Sequence, residues 1–244
     1  MSFSFASSSG WFNPSPTIQR IPLFDGQQAI VIDNVLLEPT KIREIATSVT
    51  FVDAPLGTYP GIWSALSTEQ TQMFCNYLNQ YLKSPIGYRR LLDATVRWSL
   101  VTQSPSKLKP SQWQCHQDRV NLDPARIQFL ASVLYLFEDN IGGTAFYRPK
   151  RSSEEIVTLL NNSQTMDADV FQRTYGVEPG YMLGTNDWFE CMTIIPPAFN
   201  RMVIYDGSIF HTGHISDPDK LSSKPLIGRL SINGFFTTTR HLVR

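Results

Sequence analysis

From residue 93 onward the chain repeats one local signature. Apolar and polar residues alternate, or a short apolar run appears, and Pro, Gly, Asn or Asp closes each stretch. "DATVRWSLVT", "SQWQCHQD", "FLASVLYLFED", "GTAFYR", "RMVIYDG" and "GRLSINGFFTT" all read as strands. A period of two puts neighbouring side chains on opposite faces, so this region cannot be a helical bundle, whose buried positions recur three and four apart. Sixteen prolines and fourteen glycines cut the chain into the short pieces that a strand-rich fold requires.

Helical periodicity is confined to three places. "AIVIDNVL" reads as a strand, and "EPTKIREIATSVTF" after it places Ile42, Ile45, Ala46 and Val49 on one helical face. "STEQTQMFCNYLNQYLKS" is a second helix, with Ser67 or Thr68 as its N-cap and Met73, Phe74, Tyr77, Leu78 and Tyr81 as a core stripe. "SSEEIVTLLNNSQTMDADVFQRTYG" returns to the same period behind a capping box of Ser152 or Ser153 with Glu155. The expected outline is mainly β with flanking helices: two helices, then a sandwich or barrel of jelly-roll type, broken by a helical insert at about 150–190.

Composition excludes several classes. A chain of 244 residues suits one substantial core. Lys+Arg and Asp+Glu are both 21, so no global field favours nucleic acid or an anionic membrane. No run approaches the roughly 18 apolar residues of a membrane span. "MSFSFASSSGWFNPSP" lacks a basic segment followed by an apolar one, so residues 1–27 read as a mobile lead-in and not as a signal peptide. Cys75, Cys115 and Cys191 are odd in number and far apart, which argues against a disulfide framework and for a cytoplasmic location.

Against this background the chain, with only four histidines, places His116 and Asp118 two apart in "WQCHQDRV". On a strand, residues two apart share a face at about 6.6 Å between Cα atoms, so an imidazole and a carboxylate can meet on one ion. Gln117 and Cys115 then point away. "NRMVIYDGSIFHTGHIS" adds His211 and His214 after an Asp-Gly turn. Either one would complete a set of two histidines and one carboxylate, which leaves positions open on a metal and is typical of non-haem Fe(II) oxygenases, without excluding zinc. In "GRLSINGFF", Arg229 and Ser231 share a strand face. An arginine inside so apolar a strand needs a partner, and a bidentate carboxylate is a suitable one.

His116-x-Asp118, a distal histidine and Arg229-x-Ser231, in that order, resemble the Fe(II)- and 2-oxoglutarate-dependent oxygenase superfamily in its prolyl-hydroxylase-like branch. "RWSLVT…LKPSQWQCHQD", "ASVLYLFEDNIGGTAFYR" and "AIVIDNVLLEPTKIREIA" resemble its framework segments over residues 28–240. The resemblance implies a double-stranded β-helix (jelly-roll, cupin-like), with residues 28–244 forming a single oxygenase domain. It implies Fe(II) held by His116, Asp118 and His211, since "YDGSIFH" is similar to the family's "FPS.L.H". His214, three residues on, would then bond a ligand or touch substrate at the rim. The cosubstrate 2-oxoglutarate would be bound by Arg229, Ser231, Tyr135 and Thr144. The implied activity is a dioxygenase that couples oxidative decarboxylation to attack on a C–H bond. The carboxylate of Asp118 leaves no vacancy for chloride, which disfavours halogenation.

The implied partners are O2 and a small-molecule or amino-acid-derived substrate, with neither nucleic acid nor membrane; a homodimer is compatible. The chain departs from the resemblance in its helical insert, expected as a lid with Tyr175, Tyr181 and Trp188 as apolar walls, and in the long "DPDKLSSKP" loop. Two alternatives stand beside the oxygenase: an inactive binding or scaffold protein on the same fold, and a zinc or cupin-type metalloenzyme. The second leaves Arg229 without a reason.

Overall fold

The computed structural model describes residues 10–54, 59–118 and 123–240. Residues 17–22, expected within the lead-in, are a strand: β1 (Thr17–Pro22) pairs antiparallel with β2 (Gln28–Asp33). The cause is a tight turn between the two strands. Asp25 (φ 52°) and Gly26 (φ 74°) are left-handed, and the backbone amide of Gln27 donates to Phe24. Just before β1, Trp11 is buried against Phe74 and Trp98. Residues 1–9 of that lead-in lie outside the described residues.

α1 (Pro39–Ile45) follows, with Ile42 buried and proline at its start, where the missing amide costs nothing. β3 (Val52–Asp53) and β4 (Gly61–Ala65) were not anticipated. α2 (Thr68–Tyr77) is capped by Ser67, which exchanges hydrogen bonds with Gln70. It passes through a wide turn at Leu78–Leu82 into α3 (Lys83–Ile86), which Gly87 ends in the left-handed region at φ 85°.

The long strands come next: β5 (Tyr88–Val101), β6 (Ile127–Tyr135) and β7 (Thr144–Pro149). The insert is two helices, α4 (Ser153–Thr165), capped by Ser152 with Glu155, and α5 (Ala168–Tyr175), capped by Asp167. β8 (Phe189–Ile195), β9 (Arg201–Asp206), β10 (Phe210–Gly213) and β11 (Arg229–Arg240) complete the chain.

All strand pairs are antiparallel. One sheet runs β1-β2-β9-β6-β11-β5-β4-β3 and the other β10-β7-β8. This is the jelly-roll, or double-stranded β-helix, with flanking helices. Alternation sorts the long strands between two environments. Trp98 and Leu100 of β5 and Leu230, Ile232 and Phe236 of β11 pack outward with Phe74, Tyr77 and Leu78 of the helical layer. Each fully buried side chain of this size contributes about 1.5–3 kcal/mol. Arg97, Val101, Arg229 and Asn233 face the other way, into a cavity between the sheets. The insert helices pack Ile156, Leu159 and Phe171 against Trp113, Tyr147 and Phe189, beside the smaller sheet.

One strand expectation fails. "SQWQCHQD" begins within a 3-10 turn (Pro110–Gln112) and afterwards has only an isolated bridge, His116 to His211. Those two residues exchange both backbone hydrogen bonds at 2.9 Å. The ladder stops there because the partner chain turns: the Ile209 carbonyl faces the His211 ring, and the Asp118 amide donates to Gly207 instead. Among the described residues no helix is long and apolar enough to cross a membrane, and Cys75, Cys115 and Cys191 are all free.

Candidate metal centre

The backbone bridge sets His116 and His211 side by side, with ring centroids 4.6 Å apart. Asp118 reaches the same point from its bond to Gly207. Its Oδ1 is 3.7 Å from His116 Nε2, and its Oδ2 is 3.3 Å from His211 Nε2. The nearest ligand atoms of the three residues lie within 4.8 Å of one another. Cys115 lies in the apolar cluster with Tyr147 and Phe210, and the Gln117 amide donates to the Ser208 carbonyl. Neither joins the group.

The protonation of His211 follows from its partners. Nδ1 is 2.8 Å from the Ile209 carbonyl, which can only accept, so Nδ1 carries the proton and Nε2 a lone pair. Burial pushes the imidazole down to about 4, although Asp118 pulls the other way, so the ring is neutral at neutral pH. Burial would raise the Asp118 carboxyl, but the histidines and Arg97 together hold it below the ordinary range. Asp118 Oδ2 is buried and accepts no hydrogen bond from the described residues. The Tyr205 ring meets His211 edge-on at 4.6 Å and keeps the imidazole in place.

His214 is not brought to this group. Its Nε2 lies 3.2 Å from the Leu183 carbonyl, and its amide donates to Gly143. The Asp-Gly turn and the short β10 place His211 inward, and the chain has passed the cluster by residue 214.

Arg229 opens β11 and is 4% exposed. Its Nε donates to Gly142 (3.0 Å) and its Nη2 to Gly143 (2.9 Å), while the rings of Phe137 and Tyr135 lie 5.4 and 5.7 Å from Cζ. The two glycines are needed for this clamp. A Cβ on Gly142 (φ 132°) would fall 1.6 Å from the His214 carbonyl oxygen, and one on Gly143 would fall 2.0 Å from that of Ile195. Arg229 lines the cavity. Thr144 also lines it and shares a 2.7 Å hydrogen bond with the buried Tyr135 hydroxyl. The Ser231 hydroxyl, on the same strand face as Arg229, donates to Asn233 Oδ1 at 2.9 Å.

The cavity holds about 360 Å³ and reaches Tyr59, Arg97, Gln114 and Tyr181. The first three escaped the sequence reading. Arg97 carries the signal that marked Arg229, a charge inside an apolar strand; Tyr59 lies in an irregular segment, and Gln114 in one whose strand-like pattern the fold does not follow. Of the three insert aromatics, Tyr181 alone lines the cavity. Tyr175 and Trp188 pack on each other, with ring centroids 5.5 Å apart.

No curated protein matches the sequence. Among solved structures, the chain is similar to HygX from Streptomyces hygroscopicus with nickel and 2-oxoglutarate bound, at 12% identity over 89% of this chain and 84% of that one, TM-score 0.46. It is also similar to the viral collagen prolyl hydroxylase vCPH from Paramecium Bursaria Chlorella virus-1, at 11% identity over 96% and 100%, TM-score 0.43. A third similarity is to the non-heme alpha ketoglutarate dependent epimerase SnoN from nogalamycin biosynthesis, at 11% identity over 88% and 81%, TM-score 0.42. The family model that matches is described as a family of unknown function, DUF6445, and it spans residues 14–236, nearly the whole strand and helix framework. The chain belongs to that family, DUF6445.

Proposed function

We propose that the protein is an Fe(II)- and 2-oxoglutarate-dependent dioxygenase acting on a small molecule. The observation that carries this reading is the pair of acceptors at the centre of the cavity. A neutral imidazole nitrogen and an ionised carboxylate oxygen face each other at 3.3 Å without a proton between them. Two lone pairs at that distance call for a cation, and the spacing suits two atoms each at about 2.1 Å from one ion. His116 supplies the third ligand atom. Two imidazoles and one carboxylate on one side leave the other side open, the donor set associated with non-haem iron.

Bound there, iron with 2-oxoglutarate supplies the oxidising power for attack on a C–H bond, with succinate and carbon dioxide as co-products. The chain's own residues hold and orient. His116, Asp118 and His211 would keep the metal, Arg229 would pair with the far carboxylate of 2-oxoglutarate, and Thr144, held by Tyr135, would add a hydroxyl beside it. The Gly142 and Gly143 carbonyls fix the plane of the Arg229 guanidinium before any ligand arrives, which lowers the ordering cost of binding. A cavity of about 360 Å³ suits a small or amino-acid-derived substrate.

Anaerobic addition of Fe(II) and then 2-oxoglutarate should produce a metal-to-ligand charge-transfer band. Admission of O2 should release succinate. If the protein takes up Fe(II) and 2-oxoglutarate without the band, and forms no succinate, the reading is wrong.

A further inference from the structure

Among the described residues two arginines, Arg97 and Arg229, line the cavity, and the reading above uses only Arg229. Arg97 stands opposite Asn233 in the β5–β11 ladder, four residues along the strand from Arg229. At roughly 3.3 Å per residue that is about 13 Å. A five-carbon dicarboxylate seated between the metal ligands and Arg229 is shorter than that separation, so Arg97 is free to serve a different group.

Its surroundings are those of a binding residue. Cζ lies 4.8, 5.3 and 5.7 Å from the rings of Phe235, Trp63 and Tyr59. Among the described residues Nε has no hydrogen-bond partner, and no carboxylate comes within ion-pair distance of the guanidinium. Asp118 is near enough to feel the charge, but it faces the two histidines. Ring faces packed around a guanidinium leave its in-plane edge as the outlet for its donors, and that edge matches a planar, two-oxygen acceptor.

Other unpaired polar groups line the cavity. Gln114 is 2% exposed, and among the described residues neither its amide oxygen nor its amide nitrogen has a partner; the Tyr59 hydroxyl lacks one too. Gln114, Tyr59 and Arg97 all line the same cavity. Native interiors rarely leave so many buried donors and acceptors unmatched in one place unless a ligand completes them.

We propose that Arg97 binds a carboxylate carried by the substrate, so that the substrate is a small organic acid held at the end of the cavity away from Arg229. The assignment of that end to substrate rests on the iron and 2-oxoglutarate reading of the site. The carboxylate-binding role of Arg97 can be tested without it.

The probes are phenylacetate, phenylacetamide and phenyl phosphate, which share an aromatic body and differ in the recognised group. Wild type and Arg97→Gln are first loaded anaerobically with Fe(II) and saturating 2-oxoglutarate, and the charge-transfer band is recorded. Each probe is then titrated by ligand-observed NMR. Wild type should bind phenylacetate at least about tenfold more tightly than the other two, the size of one charge-assisted contact. Arg97→Gln should abolish that preference while keeping the band, and Arg97→Lys should retain part of it. Equal affinity for acid and amide, no binding of the acid, a preference for the phosphate, or an unchanged preference in Arg97→Gln would overturn the proposal. Should wild type show no band, the iron reading fails and the titration is repeated on the metal-free protein with Arg229→Gln added. Acid preference lost in Arg97→Gln and kept in Arg229→Gln then supports the Arg97 site on its own, and the reverse overturns it.

Discussion

His211 Nε2 and Asp118 Oδ2 stand 3.3 Å apart, and the bond from His211 Nδ1 to the Ile209 carbonyl turns the lone pair of the imidazole toward the carboxylate. On the proposed reading, a divalent ion between them would relieve the repulsion and tie the β10 edge to the 113–118 segment. Fe(II) under anaerobic conditions should therefore raise Tm, by the equivalent of about 2.7 kcal/mol at a hundredfold excess over Kd. Asp118→Ala removes the one carboxylate of the His116, Asp118 and His211 group and should abolish the shift. A full metal-dependent rise in Asp118→Ala would place the ion elsewhere.

The two distal histidines should behave oppositely. His211 sits in the cluster, whereas His214 contacts the Leu183 carbonyl. His211→Ala should lose metal binding and turnover. His214→Ala should keep one equivalent of iron and lose at most part of the rate. Iron quantified after desalting decides the matter, and loss of metal from His214→Ala alone would reverse the assignment.

Arg229 offers a fork already oriented by two backbone carbonyls. Arg229→Ala should leave the Fe(II)-dependent Tm shift in place while weakening 2-oxoglutarate by about 2–5 kcal/mol, the cost of losing a buried charge-assisted pair. Arg229→Lys should recover little of this, because a lysine cannot satisfy both carbonyls and the ligand in one plane. The measurement is a titration of 2-oxoglutarate into the Fe(II)-loaded protein, read by the charge-transfer band.

Gly207 is a packing constraint on Asp118. A Cβ there would lie 2.8 Å from Phe129 Cδ1 and 3.1 Å from Asp118 Oδ2. Gly207→Ala should cost about 1–3 kcal/mol in the metal-free protein, as overpacking does. It should also weaken metal affinity by about ten- to a hundredfold by displacing the carboxylate. A normal metal affinity would show that Asp118 moves without penalty.

The insert reaches the cavity through Gln164 and Tyr181, and the Tyr181 hydroxyl donates to the Gln103 carbonyl at 2.7 Å. Limited proteolysis should show cleavage in residues 150–190 slowed by Fe(II) together with 2-oxoglutarate, as expected of a lid. An identical cleavage pattern with and without the ligands would leave the insert as a fixed support for Trp113, Tyr147 and Phe189.

Much of the architecture was legible because its causes are local. The capping boxes of Ser67 with Gln70 and Ser152 with Glu155 depend on residues three apart, and β5, β6, β9 and β11 announce themselves by alternation. β1 was hidden by the polar texture of "TIQRIP", and β4 and β10 by their brevity. The segment holding His116 reads as a strand by composition. It is not one, because the chain opposite it turns at residues 206–209, which no local pattern around residue 116 can report.

By itself the sequence determined which residues share a face: Arg97 with Val101, Arg229 with Ser231, and the apolar set of Trp98, Leu100, Ile232 and Phe236 on the opposite side. That follows from the two-residue period of an extended chain, a property of the backbone alone. Only the tertiary structure decided which face is interior and what stands across from it. His116 meets His211 from 95 residues away along the chain (211 − 116), Arg229 finds the carbonyls of Gly142 and Gly143, and Ser231 turns to Asn233. The reason is that strand register is set by long-range pairing and turn geometry. A one-residue slip would reverse every side chain of a strand, so the cavity and its two separated guanidiniums exist only once the sheets have closed.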